Sequence, residues 1–150
     1  MSLPMAMPEE LSNCLVLNTI AASRTLLRRG DAAMRRFDVT VQQFSLLAAI
    51  RFNPTQPVAA LAQRILLDRT SLTRNLDLLE QKGLVRRVAE TSGNARLCEL
   101  TEEGDRLLDQ LLVEWRKAQA DLLQGFSPAE AKAYLKLAKH FAAGGEPGNP

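Results

Sequence analysis

Residues 57–104 decide the fold of this chain, and they read PVAALAQRILLDRTSLTRNLDLLEQKGLVRRVAETSGNARLCELTEEG. Apolar spacing predicts a short helix over 58–65 and, after a tight turn, an amphipathic helix over 69–82. Two β-compatible runs over 84–88 and 95–100 flank the turn-forming residues TSGN. Helix, turn, helix and hairpin in this order predict a mainly α fold with a small β-hairpin wing, a winged helix-turn-helix.

The second of these helices carries the clearest local signals. Asp68 is a favourable N-cap, and Leu67 and Leu72 have the spacing of a hydrophobic staple across it. Gly83 follows the helix where a C′ residue is expected. Leucines at 72, 76 and 79 form one apolar face. The opposite face is therefore expected to consist of polar and basic residues: Arg69, Thr70, Ser71, Thr73, Arg74 and Asp77.

Length and composition indicate one ordinary globular domain. The chain has 150 residues, of which 46% are hydrophobic and 24% charged. No apolar run approaches the roughly 20 residues that span a bilayer, so no membrane partner is expected. The first ten residues, MSLPMAMPEE, lack the basic region of a secretory signal. We therefore expect a cytoplasmic protein.

Helices are predicted on the N-terminal side of this module. A first helix begins after about Glu10 and ends at the basic pair before Gly30, and a short helical piece covers 31–36. A further helix over 40–51 begins with a capping box, because threonine and glutamine are three residues apart.

Two more helices are predicted on the C-terminal side. Thr101 caps a long helix whose apolar stripe continues to about Leu123, and its first turn is acidic, as the helix dipole favours. Ser127 and Glu130 form a second capping box with proline at the first helical position, opening a last helix to about Phe141.

The apolar faces of these outer helices are larger than one small core needs. A homodimer would cover them, and two-fold symmetry would place two recognition helices about 34 Å apart, one turn of duplex DNA. We therefore expect a single domain over 1–150 in which 11–36 and 101–142 are dimerisation helices and 37–100 is the winged module. The tail over 143–150 is expected to be disordered.

Positive charge is concentrated in the winged module. The whole chain has a net charge of only +2, with 19 basic and 17 acidic residues. The segment from Arg51 to Arg96 holds 8 of the basic residues but only 4 of the acidic ones. Such an excess is typical of a surface that faces phosphate.

The segments LDRTSLTRNLDLLEQKGLVRR and LTEEG, with the order of elements, resemble the MarR family of bacterial transcription regulators over Leu11 to Phe141. The resemblance implies a winged-helix homodimer that binds palindromic operators in double-stranded DNA, usually as a repressor. It also implies release of the DNA when a small ligand or an oxidant acts on the protein.

The family's DNA contacts fall on the second helix of the motif. By position they correspond to Arg69, Thr70, Ser71, Thr73, Arg74 and Asn75. Arginine can pair bidentately with guanine and asparagine with adenine, and hydroxyls serve base or phosphate. Ser71 and Asn75 have a second interpretation, in which they turn inward. Asp77 would repel phosphate, so it is expected where the helix leaves the groove.

The wing departs from the family pattern. Members commonly carry Asp-x-Arg at its tip with the arginine in the minor groove, but Ser92 and Asn94 occupy those places here. The predicted wing contacts are therefore Asn94, Arg96, Arg86 and Arg87, with Arg96 substituting for the missing arginine. Arg86 and Arg87 either hold phosphate or pair with an acid inside the module.

Relatives often bind small aromatic or phenolic acids beside the dimerisation helices. Asn18, Arg24 and Arg28 are polar positions on the otherwise apolar first helix and are candidate ligands for a carboxylate. A solvent-facing or ion-paired arginine is the alternative. The peroxide-sensing cysteine of one branch aligns with Val16 rather than Cys14, so we expect Cys14 to be a packed or interface thiol and Cys98 to face the core.

Nothing in the sequence has the pattern of an enzyme, a metal site or a cofactor site. His140 has no acidic or thiol partner at ligand spacing, and no phosphate-binding glycine loop is present. The alternative to DNA binding is a winged-helix dimer used for protein contacts, which the altered wing favours and the positive charge opposes. Steep salt dependence of duplex binding would distinguish the two functions.

Overall fold

The computed structural model describes residues 8–65, 67–88 and 97–144. That part of the chain consists mainly of α-helices, with one antiparallel hairpin of two strands, so the predicted mainly α fold with a small hairpin is confirmed. The elements are α1 (Glu9–Ser12), α2 (Leu15–Met34), a 3-10 turn (Arg35–Phe37), α3 (Val41–Phe52), α4 (Val58–Arg64), α5 (Arg69–Gln81), β1 (Val85–Val88), β2 (Leu97–Leu100), α6 (Glu102–Leu122) and α7 (Pro128–Ala142). None of the described helices is long and apolar enough to span a bilayer.

The chain divides into two compact units, Met1–Glu114 and Trp115–Pro150, and α6 runs from one into the other. The hydrophobic core belongs to the first unit, where Leu46, Leu47 and Leu79 are completely buried. In the second unit, none of the residues that the structure describes is buried. The expectation of a single domain stays a prediction.

The core of the first unit forms around α3. Thr40 caps this helix, since its hydroxyl accepts from the backbone N–H of Gln43 while the Gln43 side chain accepts from that of Thr40. The predicted capping box is thus confirmed. The leucines predicted for the apolar face of α5 pack against α3, and α6 adds Leu108 and Leu111, both fully buried.

The N-terminal helices differ from the prediction. The chain breaks between α1 and α2, where the Asn18 side-chain amide donates to the carbonyls of Ser12 and Cys14 at 2.9 and 2.8 Å. Gly30 lies inside α2 rather than at its end, so the separate helical piece over 31–36 is wrong. A Cβ on Gly30 would lie 2.5 Å from Cγ2 of Val41, which shows that glycine is needed there for close approach of two helices.

The hairpin follows the prediction within the described residues, except that β1 begins at Val85 rather than at Leu84. β1 and β2 pair antiparallel from Val85 opposite Leu100 to Val88 opposite Leu97. Cys98 is 7% exposed and faces the core, as predicted. The turn expected at 91–94 and the tail over 145–150 lie outside the described residues.

Thr101 and Gly104 join the start of α6 to the residues that follow α5. The Thr101 hydroxyl donates to the Gly83 carbonyl at 2.6 Å and accepts from the Gly104 N–H at 3.0 Å, which confirms Thr101 as the cap. Gly83 has a φ of +72°, the left-handed conformation expected after a helix. The backbone N–H of Thr101 donates to the Leu84 carbonyl at 3.0 Å.

Gly104→Ala should destabilise the protein, because the new Cβ would collide with the carbonyl oxygen and carbon of Leu84, which are backbone atoms. Overpacking of this kind costs about 1–3 kcal/mol, more than alanine's helix propensity returns. Glu103→Ala, at the preceding exposed position, is the control. Urea unfolding should show a lower midpoint for Gly104→Ala only, and equal midpoints would contradict this packing.

Candidate nucleic-acid interface

The N-terminus of α5 is fixed by Asp68. One oxygen of its carboxylate accepts from the Ser71 backbone N–H at 2.7 Å, and the other accepts from the Ser71 hydroxyl at 3.1 Å. The predicted N-cap is thus confirmed. The backbone hydrogen bond from Ser71, followed by that from its hydroxyl, lowers the pKa of Asp68 below its usual value.

The face of α5 opposite the core is open to solvent. Its exposed residues include the predicted Arg69, Thr70, Thr73 and Arg74. These four, with Asp77 and Leu78, line one shallow surface depression. Within the described part of the chain, Arg69 and Arg74 form no ion pair. We call Arg69, Thr70, Thr73 and Arg74 the outer face.

Two predicted contact residues do not belong to the outer face. Asn75 is 5% exposed, and its amide donates to the Ser71 carbonyl at 2.9 Å and accepts from Gln43 at 3.3 Å. The prediction that Asn75 contacts DNA is therefore corrected, because its hydrogen-bonding atoms are turned into the protein. Ser71 is half-buried, and its hydroxyl is used by the Asp68 cap.

The arginines of β1 pair with acids rather than standing free. Arg86 forms an ion pair with Glu99 across the hairpin. Arg87 pairs with Asp77 and, at 3.0 Å, with Glu80, both on α5. Of the two alternatives for these arginines, the structure thus shows pairing with acids. Asn94 and Arg96, the other predicted wing contacts, lie outside the described residues.

Sequence reasoning missed the pairing of Asp77 and Glu80 with Arg87. Asp77 was expected to mark where the helix leaves the groove by repelling phosphate, but its carboxylate is neutralised by Arg87. Residues three apart on a helix share a face, so spacing alone could have shown that the two acids lie side by side, but not that Arg87 pairs with them. Arg87, Asp77 and Glu80 together attach β1 of the hairpin to α5.

Arg51 connects α3 to the first turns of α6. Its guanidinium donates to Asp109 at 2.7 Å and to Asp105 at 3.1 Å. Burial opposes the charge of Arg51, but these hydrogen bonds outweigh it and raise the arginine's pKa. The start of α6 is therefore held by an ionic contact as well as by Thr101.

The candidate ligand residues on α2 are exposed. The Asn18 amide is used at the break between α1 and α2, and Arg28 donates to the Thr25 hydroxyl at 3.5 Å. Arg24 is also exposed. Two cavities of about 580 and 290 Å³ in the first unit are lined by other residues, and both include Asp38 and Lys82. The structure therefore does not bring Asn18, Arg24 and Arg28 into these cavities.

Comparison with known proteins assigns the fold to a family. The model described as "MarR family" matches residues 37–96, which include the helix-turn-helix and β1. The uncharacterised HTH-type transcriptional regulator YhbI of Bacillus subtilis is 30% identical over 110 residues, which cover 72% of this chain and 71% of YhbI. The chain belongs to the MarR family.

Two further relatives of this MarR-family chain are regulators. The HTH-type transcriptional regulator PecS of Dickeya dadantii is 30% identical over 131 residues, covering 81% of this chain and 76% of PecS. The crystal structure of the M. tuberculosis transcriptional regulator MosR in complex with DNA is similar with a TM-score of 0.72 and 33% identity. That likeness covers 87% of this chain and 98% of MosR.

The Asp68 cap predicts a pH dependence of stability. Because the pKa of Asp68 is lowered in the folded protein, its contribution is present above the unfolded carboxyl pKa of about 4 and is lost as the pH falls through the folded value. Asp68→Asn keeps a neutral cap. The advantage of the wild type over Asp68→Asn, measured by urea unfolding, should shrink from pH 7 to pH 3. An advantage that grows on acidification would contradict the cap.

Proposed function

We propose that this MarR-family protein is a transcription repressor that binds a palindromic operator in double-stranded DNA as a homodimer. The observation that carries the proposal is the outer face of α5. It presents two arginines and two threonines to solvent, while Leu72, Leu76 and Leu79 of the same helix lie in the core. A regulator with this function works in the compartment that holds the genome, the cytoplasm.

The chemistry of the outer face suits base recognition. A guanidinium can donate two parallel hydrogen bonds to the major-groove edge of guanine, and threonine can contact either a base or a phosphate. Arg69 and Arg74 are free of ion pairs among the described residues, so neither must break a contact to bind DNA. Asp77, three residues after Arg74, pairs with Arg87, and Asp68, next to Arg69, is engaged in the helix cap.

Unpartnered apolar surface supports the homodimer. In the first unit, α2 exposes Leu15, Val16 and Leu27 by 44–64%. In the second unit, α7 exposes its own large apolar side chains, Tyr134, Leu135, Leu137 and Phe141, by 45–54%. A monomer rarely leaves this much apolar surface in water, so a second copy is the economical partner.

Protein contacts alone are the less favoured function. Such a module would not need the exposed arginines of the outer face, which form no ion pair among the described residues. The similar structure of MosR is a complex with DNA. Steep loss of duplex affinity with rising salt would support the DNA-binding proposal, because phosphate contacts release counterions.

A small aromatic or phenolic acid is the proposed effector. Arg24 and Arg28 lie one turn apart on α2, and their exposure leaves them free to meet a carboxylate in the dimer. Titration of the dimer with benzoic and cinnamic acids, followed by melting temperature, would find such a ligand through the stability that binding adds.

Selection from random duplexes tests the function. The wild-type protein should enrich an inverted repeat with half-sites about one duplex turn apart. Arg74→Ala should then weaken binding to the enriched duplex by about 1–3 kcal/mol, because a base contact is lost. Arg106→Ala, an exposed arginine on α6, is the control and should cost less, equally on every sequence. Equal losses in both variants would remove Arg74 from the interface.

Leu135→Glu should weaken the dimer, because it places a charge in an apolar face of α7 that is exposed in the single chain. Lys136→Glu, the next residue, changes charge without removing apolar surface and is the control. Sedimentation equilibrium should show a higher dimer dissociation constant than that of the wild type for Leu135→Glu only. A wild type that is monomeric at micromolar concentration would contradict the homodimer.

A further inference from the structure

A pair of buried amides joins α3 to the recognition helix α5. Nε2 of Gln43 donates to Oδ1 of Asn75 at 3.3 Å, and each residue is 5% exposed. Among the described residues, these two are the buried polar side chains. Burying polar groups costs free energy unless they are paired, so their presence in a leucine-rich core requires an explanation.

Both amides are also bound to backbone. Oε1 of Gln43 accepts from the Thr40 N–H at 3.2 Å, at the N-cap of α3. Nδ2 of Asn75 donates to the Ser71 carbonyl at 2.9 Å, in the first turn of α5. Three hydrogen bonds therefore run without interruption from the start of one helix to the start of the other. Neither side chain can move without breaking one of them.

The other contacts that the buried face of α5 makes with the core are not directional. That face consists of Leu72, Leu76 and Leu79, and Asn75 stands among them where a fourth leucine would fit the stripe. The free energy of leucine contacts depends on the apolar area that is buried, so these contacts tolerate small rotations of a helix about its axis. A hydrogen bond tolerates less, because it weakens with both distance and angle.

A small rotation of α5 about its axis would displace the side chains of the outer face. Atoms on a helix surface lie about 5–6 Å from the axis, so a rotation of about 20° moves them by roughly 2 Å. Hydrogen-bond lengths vary over only about 0.5 Å, so such a shift would break contacts to base edges. Contacts to phosphate from long side chains would survive it better, because they depend mainly on charge.

We propose that the Gln43–Asn75 pair positions the recognition helix by fixing its rotation, and so determines sequence specificity without touching DNA. Single polar residues in apolar helix seams set register in the same way, at a cost in stability. The inference rests on the proposed function, because it concerns how the outer face meets bases.

The test replaces both amides with leucine, in Gln43→Leu combined with Asn75→Leu. No unpaired side-chain amide is then left in the core, and the further losses are the contacts with the Thr40 N–H and the Ser71 carbonyl, so the melting temperature should fall by no more than about 4 °C. Affinity is measured for the duplex enriched by the wild type and for a scrambled duplex. The ratio of the two affinities should fall by roughly tenfold or more, while affinity for scrambled DNA is kept.

Leu76→Met is the matched control, because it changes the same apolar stripe but leaves the amide pair intact. It should keep the wild-type affinity ratio even if its melting temperature falls. Asn75→Ser, which shortens the side chain and leaves Gln43 in place, is the second test variant. It should also lose specificity.

The outcomes separate the two proposals. A wild type that enriches no sequence overturns the proposed function and this inference together. A wild type that enriches an inverted repeat, with a folded amide variant that keeps the affinity ratio, overturns the inference alone. If neither amide variant folds, the pair serves stability rather than positioning, and the inference is also overturned.

Discussion

The fixed attachment of α5 is the constraint on which the rest of the structure depends. The carboxylate of Asp68 holds its first turn, and Gly83 ends it in a left-handed conformation that only glycine adopts cheaply. Leu84 then passes beneath α6, where Thr101 and Gly104 fit against its carbonyl. Because both ends are held and Leu72, Leu76 and Leu79 are buried, the basic face of the helix points to solvent.

Charge pairing separates two kinds of arginine in the winged module. Arg87 is held by Asp77 and Glu80, so it fixes the root of the hairpin on α5. Exposed pairs of this kind add little stability, about 0–1 kcal/mol, but they set geometry and remove a negative charge from the edge of the recognition helix. Arg69 and Arg74 stay available, which is why a module of modest net charge can still present a cationic edge.

Local signals in the sequence predicted the helix-turn-helix well, because caps and staples act over a few residues. Thr40, Asp68, Thr101 and Ser127 all cap the helices assigned to them. Long-range packing was not predictable in this way. Gly30 looks like a helix end until Val41 is placed beside it, and Asn75 looks like a base contact until Gln43 is found behind it. The acid that pairs with Arg86 depends on the hairpin register, and the acids that pair with Arg87 depend on how β1 lies against α5.

Hydroxyl-radical footprinting of the protein on its enriched duplex tests the central claim most directly, namely that a paired subunit presents α5 to the major groove. The account predicts two protected patches on one face of the duplex, about ten base pairs apart, which disappear together as salt rises. Uniform protection without a repeat, or a single patch bound by a monomer, would contradict it.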